Sequence, residues 1–220
     1  MHLLSAQAGA IQQEGEAIDL DQRPGALVFA SSADSELAML AGAADRAGED
    51  ELRLANTLRL SNNLSVDLWL EKTVAHARLV VLRLIGGAAY FQYGVDELTA
   101  LCANRRIPLV LLPGDANPDP ILQSRSTIHP DDWTRLHSLF TAGGPDNADT
   151  ILNAFNLLSS PLPSGERSAA QPPGEGAFLA NLQPTPFARF GLWHPATGMT
   201  NEAGLRARHR GGAHIPILFY

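Results

Sequence analysis

Two glycines and two tyrosines follow a strongly apolar stretch in the middle of the chain. Residues 78–84 (RLVVLRL) predict a buried strand, and Gly86 and Gly87 come directly after it, followed by Tyr90 and Tyr93. Ligands of open α/β sheets bind at the carboxyl ends of strands, where aromatic rings can stack on a flat ligand or a partner surface. A tight turn and the closing of a core edge explain the same residues. These four residues are therefore candidate binding residues, with both interpretations open.

Other arrangements that carry chemistry are missing from the sequence. There is no Gly-x-x-x-x-Gly-Lys-Ser/Thr loop, and Lys72 is the single lysine, so triphosphate hydrolysis by this chain is not expected. The histidines form no local ligand pair, and His209 and His214, in an arginine-rich stretch, indicate either an anion site or a solvated turn. The single cysteine, Cys102, excludes an internal disulfide, and its helical surroundings predict a core position. We assign no catalytic residue and no metal ligand.

The composition narrows the class of protein. Of the 220 residues, 45% are hydrophobic and only 18% are charged, with a net charge of −7. The low charged share indicates either a surface partly covered by a partner chain or merely an alanine- and leucine-rich composition. A net negative chain predicts no broad basic surface for nucleic acid or an anionic membrane. The N-terminus does not resemble a signal peptide, and no run reaches the ~18 apolar residues of a membrane span, so we expect a cytoplasmic protein.

Short apolar runs alternate with helical patterns over the first 160 residues. The runs predict five strands, at residues 1–6, 26–30, 52–55, 78–84 and 107–112. Helices are predicted between them, with N-cap oxygens in residues 31–34 and at Ser65, and two more begin near Pro130 and Pro145. This alternation predicts that residues 1–160 form a doubly wound α/β domain, with a mostly parallel sheet and helices on both faces. Flavodoxin-like strand order is the expected arrangement.

The composition changes after residue 160. Five prolines lie between Ser159 and Pro184 among many Gly, Ser and Ala residues, which predicts an exposed linker over residues 161–187. Beyond it, the apolar runs 188–193 and 214–220 predict strands at the start of a second domain, residues 188–220. A buried strand at the end of a chain implies further polypeptide to cover it. We therefore interpret the chain as an N-terminal fragment.

Several short motifs resemble the large, tetrapyrrole-binding subunit of ATP-dependent cobaltochelatase. The motifs keep their order over nearly the whole chain and comprise residues 1–4, 64–68, 75–81, 84–87 with Tyr90 and residues 93–95, 111–115, 143–147, 191–195 and 215–220. Each motif is modest, but their order and spacing together make the resemblance specific. The related large subunit of magnesium chelatase is a weaker match. Members of the family are several times longer than this chain.

The resemblance implies a function that the residues alone do not. The family's large subunit binds hydrogenobyrinic acid a,c-diamide and takes up Co²⁺, and AAA+ ATPase subunits use ATP and Mg²⁺ to drive the insertion in cobalamin biosynthesis. The reaction is that of a ligase that forms nitrogen–metal bonds. The implied partners are the rest of the large subunit, the ATPase subunits and the tetrapyrrole, while this chain alone is expected to be inactive and to bind no cofactor. The alternative is a stand-alone α/β module that binds a ligand or partner protein without catalysis.

Overall fold

The computed structural model describes residues 16–160, 177–185, 192–194 and 198–200. Within the first of these ranges, one sheet has the order β2-β1-β3-β4, and every pairing in it is parallel. Its strands are β1 (Leu27–Ser31), β2 (Leu52–Asn56), β3 (Leu79–Leu84) and β4 (Leu109–Pro113). The predicted parallel α/β sheet is confirmed, and the order matches the first four strands of the flavodoxin-like arrangement. The run predicted at residues 1–6 lies outside the described residues.

The helices of the described chain follow the predicted alternation. They are α1 (Asp34–Ala47), α2 (Asn63–Lys72), α3 (Gln92–Arg105), α4 (Pro120–Arg125), α5 (Pro130–Ala142) and α6 (Pro145–Ser159). Proline occupies the first turn of the last three, where its missing N–H has no intrahelical partner to lose. The short α4 was not predicted. Asp119 caps it by accepting hydrogen bonds from the backbone N–H groups of Ile121 and Leu122 at 2.9 and 3.1 Å.

Two of the predicted helix caps are wrong. The cap of α2 is Asn62, whose side-chain oxygen accepts from Leu64 N at 2.9 Å. Ser65 lies inside the helix, is buried, and accepts a hydrogen bond from Ile18 N at 2.7 Å. The cap residue of α1 is Ala33, which contributes no side-chain hydrogen bond. The cap-rich sequences mark helix starts correctly, but tertiary contacts decide which oxygen serves as the cap.

Each face of the sheet has its own core. Alternate residues of a strand point to opposite faces, so Leu27 and Phe29 of β1 enter one core with α1, α5 and α6. Phe29 stacks on Phe140 of α5 at a centroid distance of 5.4 Å. Val28 and Ala30 enter the other core, against α2, α3 and α4. Helices therefore cover both faces, as predicted for a doubly wound domain.

Hydroxyl and indole groups close the lateral edge of the sheet at β4. The backbone N–H of Leu109 donates to Thr127 Oγ1 at 2.8 Å, and that of Leu111 donates to Ser126 Oγ at 2.9 Å. The carbonyl of Leu111 accepts from Trp133 Nε1 at 2.7 Å. An edge strand with free backbone groups invites pairing with another chain. Here Ser126 and Thr127, from the segment between β4 and α5, and Trp133 of α5 already occupy these groups.

The segment before β1 contacts the opposite lateral edge, at β2. Gln22 Nε2 donates to the carbonyl of Leu54 at 2.7 Å. The Arg53 guanidinium donates to the carbonyl oxygens of Arg23 and Pro24 at 2.8 and 2.7 Å. The same chain that leads into β1 therefore satisfies part of the backbone of its neighbour and holds itself against the sheet.

Residues 177–185 pack against α5 and α6. Leu179 is fully buried, and the buried Asp132 carboxylate accepts from the backbone N–H groups of Phe178 and Leu179 at 3.1 and 2.8 Å. The Asn147 side chain donates to the Thr185 carbonyl and accepts from its N–H, both at 2.8 Å. Leu179 is thus a buried anchor within the predicted linker, while the residues around it in this segment are exposed or partly exposed. Residues 161–176 lie outside the described chain, and the predicted domain boundaries stay predictions.

The chain divides into two compact units, Met1–Thr185 and Pro186–Tyr220. In the second unit, β5 (Leu192–His194) pairs antiparallel with β6 (Gly198–Thr200). The run predicted at residues 188–193 overlaps β5 by two residues. The run 214–220 and the two histidines His209 and His214 lie outside the described residues.

Candidate functional site

The strand order reverses between β1 and β3. The chain passes from β1 to β2 on one side and returns to β3 on the other, which makes this pair the topological switch point. Ligands of open α/β sheets bind outside the carboxyl ends of the strands at such a point. A cleft of about 250 Å³ lies there, and its walls come from the segments after β1, β2 and β3, among them Ser32, Thr57, Leu58, Leu84, Tyr90 and Phe91.

Gly86 and Gly87 form the turn that follows β3. Their φ angles are +80° and +88°, a region that glycine enters without strain. A Cβ atom on Gly86 would lie 2.6 Å from the Tyr90 ring, so the ring packs directly on this glycine. Tyr90 is nevertheless 63% exposed. The structure therefore brings three of the four candidate residues together at the end of β3, and their role in binding stays a prediction.

Tyr93, the fourth candidate, has a different environment. Its hydroxyl donates a hydrogen bond to Asp67 Oδ1 on α2 at 2.7 Å, and its ring packs against the core beneath α2 and α3. The hydrogen bond to the carboxylate favours the neutral phenol and raises the pKa of Tyr93 to about 12. Tyr93 thus links two helices and does not share the surface of Tyr90.

A buried ionic network lies at the carboxyl edge of the sheet. The Arg83 side chain, 5% exposed, pairs with Glu36 Oε1 at 3.0 Å and donates to the carbonyl oxygens of Pro113 and Gly114 at 3.1 and 3.0 Å. Ser31 donates its hydroxyl to the other Glu36 oxygen at 2.8 Å. Burial lowers the pKa of Arg83, while the neighbouring Glu36 charge acts in the opposite direction. Groups of the protein itself therefore engage the Arg83 guanidinium, which is not free to bind an anionic ligand.

Arg83 was not among the predicted site residues, although the sequence carried a signal. It lies in a run that is otherwise apolar and is buried on both faces of the sheet. A charge at such a position requires a buried partner or a carbonyl cage. The pattern thus indicated a polar network at the end of β3. It could not indicate the partner, because Glu36 lies 47 positions earlier in the sequence.

The loops after β3 and β4 touch each other. Gly114 N donates to the carbonyl of Leu84 at 2.8 Å. A Cβ atom on Gly114 would lie 2.6 Å from Ile85 Cα, so a side chain at this position would collide with backbone. The next residue, Asp115, uses its carbonyl to bond His137 Nε2 of α5 at 2.9 Å. These contacts fix the loop that presents Ile85 and Tyr90 to solvent.

Large apolar side chains are exposed along this carboxyl edge. They lie in the segments that follow β2, β3 and β4, and we call them the apolar rim: Leu58 (69% exposed), Leu64 (54%), Ile85 (47%), Tyr90 (63%) and Ile121 (68%). Scattered exposed apolar residues are ordinary, whereas grouped ones mark interaction sites. Because parallel strands end at one edge of a sheet, these five residues share one end of the domain.

The remaining described residues offer little metal or thiol chemistry. No group of three or more His, Cys, Asp or Glu side chains in the described ranges is arranged to hold a metal ion. Cys102 is buried, as predicted, and burial raises the pKa of its thiol to about 12. No helix in the described part of the chain is long and apolar enough to cross a membrane.

The parallel sheet, the helices on both faces and the cleft at the switch point define a doubly wound α/β domain with its candidate site at the carboxyl edge. No protein-family model matches the chain. Among solved structures, the catalytic subunit of cobaltochelatase from Mycobacterium tuberculosis is similar, with a TM-score of 0.52 and 23% identity over 79% of this chain and 12% of that chain. This likeness supports the fold.

Two curated relatives carry the comparison further. Aerobic cobaltochelatase subunit CobN of a Sinorhizobium species is 40% identical over 201 residues, 90% of this chain. The subunit of the same name from Pseudomonas aeruginosa is 35% identical over 223 residues, the whole of this chain. The chain spans only 14% and 17% of the length of these relatives. The resemblance seen in the motifs is confirmed: over 90% and 100% of its length, this chain is similar to aerobic cobaltochelatase subunits CobN.

Proposed function

We propose that this chain forms part of the tetrapyrrole-binding large subunit of an aerobic cobaltochelatase, which inserts Co²⁺ into hydrogenobyrinic acid a,c-diamide during cobalamin biosynthesis. The observation that carries the proposal is the 40% and 35% identity to two CobN subunits over 90% and 100% of the chain. The α/β fold, similar to that of a cobaltochelatase catalytic subunit, supports it.

The proposed role of the described domain is to shape the subunit or dock its parts. Insertion of Co²⁺ requires removal of water from the metal and of protons from the ring nitrogens, which are tasks for positioned bases and metal-binding side chains. At the carboxyl edge, by contrast, Arg83 and Glu36 neutralise each other and Tyr90 packs on Gly86. These residues stabilise a surface, so we assign the chemistry to other parts of the large subunit.

The proposed partners follow from the same role. They are the rest of the large subunit, AAA+ ATPase subunits that use ATP and Mg²⁺, and the tetrapyrrole substrate, in the cytoplasm. A net charge of −7 supports an assignment without nucleic-acid or membrane partners. The class of reaction would be that of a ligase forming nitrogen–metal bonds.

The test begins with the transcript that encodes this chain. We would sequence it beyond the codon for Tyr220 and express its complete product with the ATPase subunits. Supplied with ATP, Mg²⁺, Co²⁺ and hydrogenobyrinic acid a,c-diamide, the complex should change the absorption spectrum of the ring as cobalt enters. Omission of ATP should abolish the change. A complete product that leaves the spectrum unchanged with active ATPase partners would contradict the proposal.

The cleft at the switch point supports a second candidate function, a stand-alone module that binds a small ligand or a partner protein. Its volume of about 250 Å³ and its aromatic wall suit a small flat molecule. Ligand screening on the 220-residue chain, followed by tryptophan fluorescence, tests this candidate. Saturable binding that a Tyr90→Ser substitution weakens would favour it over the chelatase role if the transcript ends at Tyr220.

A further inference from the structure

The apolar rim is distinct from the other exposed apolar residues of the described chain. Its members are 47–69% exposed and all follow strand ends at one edge of the sheet. The other large apolar side chains with appreciable exposure, Ile18, Leu157 and Phe178, are 37–38% exposed and lie in separate segments. Single exposed apolar residues need no explanation, whereas a group of five at one edge indicates a surface that is covered in the working protein.

The rim extends beyond the cleft. Leu58, Ile85 and Tyr90 line the cleft, but Leu64 and Ile121 lie outside its wall, in the first turns of α2 and α4. A small ligand in the cleft would leave these two side chains in water. The sheet is four strands wide, which corresponds to about 14 Å at the usual strand spacing. A protein interface of ordinary size, about 800 Å² per partner, can span the ends of these strands.

Charge also favours a protein partner. Arg83 is the one charged residue that lines the cleft, and Glu36 and two carbonyl oxygens already engage it. An anionic small molecule would find no free cation in this cleft. A partner surface of low charge suits an apolar rim, because burying an unpaired charge there would be unfavourable.

At both lateral edges of the sheet, other parts of the chain contact the edge strand, whereas the carboxyl edge exposes apolar side chains. Side chains of Ser126, Thr127 and Trp133 occupy backbone groups of β4, so strand addition at that edge is blocked. The segment before β1 holds part of the β2 edge. Helices cover both faces. Of these edges and faces, the carboxyl edge is the one at which several large apolar side chains are exposed.

The length of the relatives points to the occupant. The chain spans 14% and 17% of the two CobN relatives, so in this family the domain occurs within a much larger polypeptide. We propose that the apolar rim docks against another domain of the same cobaltochelatase large subunit, through an apolar surface of low charge. This inference rests on the proposed function and deepens it.

Footprinting of side chains in two contexts tests the docking. Hydroxyl radicals would be used to label the 220-residue chain and the complete large subunit that carries it, and mass spectrometry would compare the sites. In the complete subunit, labelling of Tyr90 should fall about tenfold, as expected for a ring moved from solvent into an interface core. Phe178, an exposed aromatic residue outside the rim, serves as the control and should be labelled equally in both.

A double substitution then tests whether the protection from labelling depends on the apolar rim. In the complete subunit, Leu58→Asp with Tyr90→Asp should raise labelling of Ile85 and Ile121 to the level of the 220-residue chain. The matched variant Leu157→Asp, which changes an exposed leucine elsewhere, should leave both sites protected. Because the rim side chains are exposed in the isolated chain, the circular dichroism and melting temperature of that chain should be unchanged, which separates loss of docking from loss of folding.

The outcomes separate this inference from the proposed function. Equal labelling of Tyr90 in both contexts overturns the docking, even if the subunit inserts cobalt. Protection of Tyr90 in a subunit that inserts no cobalt supports the docking and contradicts the proposed reaction. Protection that appears in the 220-residue chain alone as its concentration rises would assign the rim to a second copy and overturn the proposal.

Discussion

Polar and apolar groups are placed differently at the carboxyl edge of the sheet and at its lateral edge, strand β4. At β4, apolar strand residues face both cores, and the free backbone groups of Leu109 and Leu111 bind hydroxyl and indole groups from the following segment. At the carboxyl edge, the charged groups of Arg83 and Glu36 turn inwards and pair, while Leu58 and Tyr90 face the solvent.

The difference shows which edge is closed and which is available. The lateral edge of a sheet can pair with another strand through its unpaired backbone N–H and C=O groups. Blocking this pairing requires hydrogen-bond donors and acceptors. The carboxyl edge, by contrast, can associate with another surface through exposed apolar side chains. Removing these side chains from water requires a second apolar surface. The described domain supplies the first kind of closure itself. We infer that the second kind comes from elsewhere in the large subunit.

The largest expected effect concerns the buried pair at the carboxyl edge. Arg83→Leu leaves the Glu36 carboxylate, whose side chain is only 16% exposed, without its cation. This loss should lower the free energy of unfolding by about 3 kcal/mol, the lower end of the range for a broken buried pair. Urea unfolding measures it. Arg46→Leu is the control, because Arg46 pairs with Asp149 where both side chains are about half exposed, and the loss should stay below about 1 kcal/mol.

A double variant distinguishes an unpaired charge from lost packing. If Arg83→Leu is destabilising because Glu36 is orphaned, adding Glu36→Leu should restore most of the loss. A double variant as unstable as Arg83→Leu alone would show that the packing of Arg83 over the Phe140 ring, 5.1 Å from its centroid, matters more than charge.

A smaller effect is expected at the lateral edge. Trp133→Phe removes the short hydrogen bond to Leu111 O and leaves this carbonyl only the longer one from Ser126 Oγ at 3.4 Å. The free energy of unfolding should fall by about 1 kcal/mol. Trp69→Phe is a matched control, since Trp69 is equally buried but its indole N–H has no hydrogen-bond partner in the described chain. Thermal or urea unfolding should show the larger loss for Trp133→Phe. Equal losses would mean that the indole bond contributes little to closing the edge.

The hydrogen bond between Tyr93 and Asp67 predicts a pH dependence at high pH. The ordinary pKa is 10.0 and the folded pKa is about 12. The stabilisation is therefore complete below pH 10 and is lost as the pH rises towards 12. Absorbance titration of tyrosinate should show a late-ionising component that Tyr93→Phe removes. The difference in unfolding free energy between the wild type and Tyr93→Phe should shrink over the same interval, and a constant difference would contradict this assignment.

The smallest effect on stability is expected at the rim itself. Leu58→Ser changes a side chain that is 69% exposed and should alter the free energy of unfolding of the 220-residue chain by less than about 0.5 kcal/mol. Leu60→Ser, two residues along and buried at 1% exposure, is the destabilising comparison, expected to cost several kcal/mol. A large loss for Leu58→Ser would place this residue in the core and remove it from the rim.

Local patterns were sufficient for most of the fold. The apolar runs predicted the four strands of the parallel sheet. The signal is strongest for β1, β3 and β4, because a strand buried on both faces must be largely apolar along its length. Helices α5 and α6 begin at Pro130 and Pro145, where proline and first-turn acids mark a start without any tertiary contact. The six-residue α4 is too short to show a helical period, so its Asp-Pro start was the available signal.

The candidate site was predictable only in part. Gly86, Gly87 and Tyr90 meet at the end of β3 because they are close in sequence and the turn needs positive φ angles. Tyr93, only three residues beyond Tyr90, bonds Asp67 instead, because a helix begins between them and changes the direction of the side chain.

By itself, the sequence determined the class of domain, its strands and helix starts, and, through the order of its motifs, its family. The tertiary structure alone decided that Arg83 pairs with Glu36 and that Leu179 of the predicted linker is buried over α5. It also decided that five apolar side chains share one edge. The physical reason is that periodicity and composition record each residue's local conformation and solvation. Partners far apart in the sequence depend on the path of the chain between them.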